Sequence, residues 1–161
     1  MIEVNRTVTG SEGITLTEAK AFLRVDFTED DDLITDLIGQ SRDLIEQYTN
    51  RSLIDSTIKV TASKRKDIVL PFGLVSIVNT VTDVETSESL GFKWDGLVLS
   101  YDSPNTTLIE YETVEDNTEG LILGWHEIIA YLYENRGDSS SIALILYNNQ
   151  NLMVFRRSVW I

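Results

Sequence analysis

Residues 15–54, TLTEAKAFLRVDFTEDDDLITDLIGQSRDLIEQYTNRSLI, write two helices, an acidic joint and a helix stop. Thr15 stands three places before Glu18, the spacing of a capping box in which hydroxyl and carboxylate each accept from the other residue's amide. A short helix is therefore expected from Leu16, with Ala19, Phe22 and Leu23 at helical spacing and a stop near Val25. Lys20 and Arg24 fall toward its C-terminal end, where cations suit the macrodipole. In the second helix Leu33, Ile34, Leu37, Ile38, Ser41, Leu44, Ile45 and Tyr48 form one apolar stripe over about five turns. Glu29, Asp30, Asp31 and Asp32 crowd its N-terminus, where negative charge is favoured, and it should end around Thr49-Asn50.

Past Ile54 the period falls to two. Thr57, Lys59 and Thr61 alternate with Ile58, Val60 and Ala62, and β-branched runs continue over residues 67–70 and 75–84. Lys64-Arg65-Lys66 lies between two such runs and reads most simply as a solvated hairpin tip, ahead of a phosphate-binding patch. Residues 90–94 and 97–101 flank Asp95-Gly96, a two-residue hairpin signal, and Ser103-Pro104-Asn105 turns the chain into a strand over 106–114. The middle of the chain is thus expected to be one small antiparallel sheet of about four to six strands.

A third helix is expected over about residues 118–136, burying Leu121, Ile122, Trp125, Ile128, Ile129 and Leu132, with Gly137 as its C′ residue. The stripe of the second helix, through Leu37, Ile38, Leu44 and Ile45, should pack on Trp125 and Ile129. Gly124 costs about 1 kcal/mol against Ala in a helix, which suggests that another element packs closely there. Residues 142–147 suggest a short helix capped by a serine. The end, LMVFRRSVWI, has strand-forming residues and no obvious core partner.

Composition excludes more than it assigns. The formal net charge of −13 repels a nucleic-acid backbone at long range. There is no cysteine, no apolar run of membrane-span length and no signal-peptide run at the N-terminus. His126-Glu127 opens like a zinc-protease helix, but Ala130 occupies the second ligand position. Asp26, Thr28 and Asp30 echo a calcium loop in which Asp31 replaces the turn glycine and Leu37 the bidentate carboxylate. With a single histidine and no glycine-rich phosphate loop, no catalytic site, cofactor or metal is nominated.

Four phrases carry a resemblance. Glu18-Ala19-Lys20, Leu23-Arg24-Val25-Asp26, Tyr48-Thr49-Asn50-Arg51 and Tyr133-Glu134-Asn135-Arg136, in this order, resemble the head-tail connector (head-completion or adaptor) proteins of long-tailed bacteriophages. The resemblance extends to WHEIIAYLYENRGD and to the strands over 57–114, which match the sheet inserted in longer members. Asn50 stands where the family usually carries Gly, still compatible with a left-handed cap.

The resemblance implies an α+β fold. It would be one connector domain, with a helical core over about 15–54 and 118–150, a β insertion over about 56–114 and a C-terminal arm over about 152–161. It further implies a non-enzymatic virion protein at the head-tail junction, made in the host bacterial cytoplasm, whose copies, about twelve, close a ring beneath the portal. The ring would bind the portal and the next head-completion or tail protein. DNA would pass through without specific binding, repelled by an acidic wall, and no membrane would be involved. The departing tail makes Leu152, Val154, Phe155, Arg156, Arg157 and Trp160 the candidate interface, a docking arm that adds a strand to a portal edge, the alternative being a strand that completes the subunit's own sheet. Two other classes compete. A host binding or regulatory module would show a groove on the sheet lined by Trp94, Tyr101 or Tyr111, and a hydrolase would show two acids in a cleft.

Overall fold

The computed structural model describes residues 2–64, 66–136 and 141–157. Its elements run β1 (Ile2–Val8), α1 (Leu16–Leu23), α2 (Asp31–Thr49), β2 (Ser56–Ser63), β3 (Asp67–Val69), β4 (Val75–Asp83), β5 (Phe92–Trp94), β6 (Val98–Tyr101), β7 (Thr106–Thr113), α3 (Glu119–Glu134), α4 (Ile142–Asn148) and α5 (Gln150–Met153). Helices and antiparallel sheets are both present, so the class is α+β. The chain forms two compact units, one of helices (Ser11–Leu53 with Asp116–Arg157) and one of strands (residues 2–10 with 54–115).

In the helical unit the capping box of α1 is formed. Glu18 N–H donates to Thr15 Oγ1 at 3.2 Å, and Thr15 N–H at 2.8 Å and its hydroxyl at 2.7 Å donate to Glu18 Oε2, which holds the Glu18 carboxyl below its usual pKa. Arg24 and Asn50, both left-handed at φ 56° and 55°, end α1 and α2 where the sequence places the stops. Helix α2 packs on α3, and α1 touches both. Ile34, Leu37, Ile38 and Ile45 are buried, Leu44 only half so, and Trp125 is sealed among them with its indole N–H donating to Ile38 O at 3.2 Å and Ser41 Oγ at 2.9 Å. The buried face of α2 also contains Arg42 and Glu46, which the apolar stripe does not announce. Glu46 accepts Leu53 N–H at 2.6 Å, closing the loop beyond the helix. Arg42 lies 3.2 Å from Glu12 and 3.9 Å from Glu46.

The acids before α2 do more than oppose a dipole. Asp30 accepts from the Tyr133 hydroxyl and from Arg136 Nη2, both at 2.6 Å, and these two donors, Tyr133 foremost, lower its pKa. Asp31 pairs with Lys20, whose ammonium also donates to Phe27 O at 2.6 Å. The short third-helix stop at Gly137 falls outside the described residues; the helix itself ends at Glu134.

The strand unit departs from the expected single sheet. Four strands pair in the order β1-β2-β7-β4 and three in the order β3-β6-β5. The inward residues of both sheets, Ile58, Val60, Ile109, Tyr111 and Val81 with Ile68 and Leu99, form one core. Because β2 pairs with β1 and β7 while β3 pairs with β6, Lys64-Arg65-Lys66 carries the chain from one sheet to the other; the hairpin-tip expectation is corrected. Strand β1, absent from the sequence expectation, adds an N-terminal edge to a unit otherwise built from residues 54–115. Asp95 accepts from Leu97 and Val98 N–H and Gly96 sits at φ 95°, so the β5–β6 hairpin forms as expected.

Asp83 organises the turn after β4. Its carboxylate accepts from Thr86 and Glu85 N–H, the Ser103 hydroxyl and the Asn105 amide, and is 4% exposed. The Thr86 bond, supported by the Ser103, Asn105 and Glu85 donors, lowers its pKa from the usual 3.8 against the opposing pull of burial. A lowered folded pKa means that the stabilisation is complete above the usual carboxylate value and is lost as the pH falls through the lowered one. Asp83→Asn should therefore flatten the decline of the urea midpoint below about pH 4. A decline as steep as that of the parent protein would show that the turn does not depend on the charge.

Candidate assembly surfaces

The C-terminal segment is fixed to the helical unit through residue 157. Asn149 caps α5 by accepting from Asn151 and Leu152 N–H, so the strand-forming residues after it begin with a helical turn. Leu152 is fully buried. A Cβ on Gly124 would stand 2.4 Å from Leu152 Cδ2 and 2.7 Å from its Cγ, so the α3 glycine exists to admit this leucine. Phe155 lies over Gly120, where a Cβ would approach its ring to 2.9 Å. Arg51 stacks on the same ring at 5.7 Å, donates to Phe155 O at 2.9 Å and pairs with Asp116 at 2.7 Å. Arg157 N–H donates to Thr49 O at 2.9 Å, and Arg156 lies 5.4 Å above the Tyr48 ring.

Of the candidate interface residues, then, Leu152, Phe155 and Arg157 are engaged within this unit. The expectation that the tail lacks a core partner is corrected: a leucine three residues after an Asn cap packs opposite a helix glycine. Val154, 73% exposed, and Met153, 53% exposed, face away with Arg156. Trp160 lies outside the described residues.

A second surface lies on the three-stranded sheet. A groove of about 500 Å³ is lined by Lys66, Asp67, Gly91, Phe92, Lys93, Ser100 and Tyr101. Across the strands Asp67, Ser100 and Lys93 stand in register. Of the expected ligand-groove aromatics, only Tyr101 lines this groove; its ring is 6% exposed and its hydroxyl lies 2.8 Å from Thr107 Oγ1. Tyr111 is wholly buried and donates to Pro71 O at 2.7 Å, and Trp94 packs against the core, so neither of these two lines it.

A third surface is the sheet edge. Strand β1 pairs on one side with β2, and Val4 and Val8 remain partly exposed along it. The opposite edge strand, β4, is interrupted by two register shifts and is bridged at Thr82 by Ser89.

Residues 13–110 match the family model described as phage gp6-like head-tail connector protein. No curated protein matches the chain. Among solved structures, a chain of the virion of a native gene transfer agent particle is similar with TM-score 0.72 and 13% identity, over 98% of this chain and 97% of that one. A chain from the neck of an empty particle of the same kind, computed with C6 symmetry, gives 0.68 and 13% over the same shares. A chain from the neck of the native particle, computed with C12 symmetry, gives 0.58 and 16%, over 96% and 97%. The family match takes in α1, α2, β2 to β6 and β7 as far as Glu110, and this protein belongs to the phage gp6-like head-tail connector family of structural virion proteins.

Proposed function

We propose that copies of this protein close a ring beneath the portal of a phage or prophage particle, extend the DNA channel and join the filled head to the tail. The observation that carries this reading is the fold likeness over nearly the whole chain to proteins of particle necks computed with C6 and C12 symmetry. A cyclic operator acting on one chain makes a ring, and a ring needs two different faces on each copy. The helical unit acts as the connector bundle and the strand unit as its insertion. The role is mechanical and adhesive rather than catalytic. Within the C-terminal segment, exposed Val154 and Arg156 touch the portal, and Leu152, Phe155 and Arg157 hold them in place; Trp160, outside the described residues, is assigned to the same contact. Portal carboxylates suit Arg156.

Net charge of −13 gives the DNA conduit a wall that does not trap phosphates. Mass photometry with and without portal tests the reading. Monomers or small oligomers should predominate at low concentration and closed rings at high concentration or on portal, since about twelve weak contacts add avidity. In the same samples, filter binding should detect no micromolar complex with duplex DNA at physiological salt. A stable two-fold dimer indifferent to portal would overturn the ring, and a salt-dependent DNA complex would overturn the non-binding channel.

A further inference from the structure

We infer that the lysine-lined groove on the three-stranded sheet receives the acidic joint between α1 and α2 of a neighbouring copy, an inference that rests on the ring reading. The five lysines divide sharply. Lys20 and Lys59 are held in ion pairs with Asp31 and Glu110. Lys64, Lys66 and Lys93 all belong to the strands and connection around the groove and are exposed. Only Lys66 among these three has an ion-pair partner among the described residues, Asp102 at 3.5 Å, and with side chains 77% and 88% exposed that pair is weakly held. Three of the five lysines are thus exposed in the strand unit, beside Asp67 and Asp102.

The helical unit carries the complement. Asp26, Glu29, Asp32 and Asp36 are exposed and form no ion pair with another described residue, while Asp30 and Asp31 are used internally. Phe27, 45% exposed, stands among them. Acids around an exposed aromatic meet a groove whose lining includes Lys66, Lys93 and the partly exposed Phe92.

Symmetry favours this occupant over others. A closed cyclic ring is heterologous, so each copy must present two unlike, mutually complementary faces, and this chain presents one of each sign. Copies with net charge −13 repel one another unless opposite charges are placed at the contact. Lysine and carboxylate rims set register and association rate, with Phe27 supplying the apolar centre.

The test is a charge exchange on the full chain, under conditions where the parent protein forms rings. Lys66→Glu with Lys93→Glu, and separately Asp26→Lys with Glu29→Lys, should each raise the half-assembly concentration by about tenfold or more, with melting temperatures close to the parent value. The four substitutions together should recover most of the loss, because the exchanged charges meet again. Assembly unchanged in both pairs, or loss in both without recovery in the combination, overturns the proposed contact while leaving the ring intact. Duplex DNA binding by the parent that disappears in Lys66→Glu with Lys93→Glu would overturn it in favour of a nucleic-acid groove. A parent protein that forms no ring in any condition, portal included, would instead remove the ring reading on which the contact rests.

Discussion

A chain ending at Asn151 melts about 4–20 °C below the full-length protein, the expected result of removing a core residue that sits at the end of the sequence. Leu152 is fully buried and fills the notch above Gly124; losing such a side chain costs about 2–5 kcal/mol, which corresponds to a few degrees per kcal/mol in a chain of this size. The truncation also removes the Phe155 ring from Arg51 and the Arg157 amide from Thr49 O, so the end of α2 loses its cover. Leu152→Ala alone should account for the larger part. Thermal unfolding followed by circular dichroism distinguishes this from a purely external docking arm, for which the truncated chain would melt with the parent and fail only in binding portal.

Glu46→Ala is the second large effect, about 3–5 kcal/mol by urea denaturation, because it breaks a buried ionic group from one side only. Glu46 is wholly buried, its carboxylate receives Leu53 N–H at 2.6 Å, and the Arg42 guanidinium 3.9 Å away is only 8% exposed in the residue as a whole. The alanine leaves a buried amide without its acceptor and a buried cation with only Glu12 and Asp43 near it. Glu46→Gln keeps an acceptor and loses the charge, so its cost should fall between the two. A cost below about 1 kcal/mol for the alanine would mean that Leu53 finds another acceptor and that the loop is held by its apolar neighbours.

What could be read from the sequence follows from how local the cause is. The capping box of Thr15 and Glu18, the stop at Asn50 and the Asp95-Gly96 turn each depend on residues within four positions, and each appears in the structure where it was expected. Strand β1 depends on a partner at Ala62 for Ile2, sixty positions away, and its own alternation is too weak to announce it. The division into two sheets has the same origin: periodicity identifies a strand but not its neighbour, so β2 and β3 look like a hairpin until β7 and β6 claim them. Arg42 and Glu46 escaped because a helical-wheel argument counts apolar residues, whereas their burial follows from the loop at Leu53 and from Glu12. Within the candidate tail, only a three-dimensional contact with Gly124 and Gly120 separates the residues that are held from those left exposed.

The way the two units share the chain sets an order in time. At about 5–20 residues per second, β1 leaves the ribosome roughly 3–12 s before Ala62, the partner of Ile2, has been made. The β7 strand that joins β2 to β4 follows only with residues 106–113, and the helical unit waits for Leu152 and Arg157 near the very end. Neither unit can close on a partial chain. Contacts of such long range slow folding and leave the valines of β1 unpaired meanwhile. The same arrangement means that a chain cut before Leu152 lacks a finished helical unit and offers no whole copy for assembly.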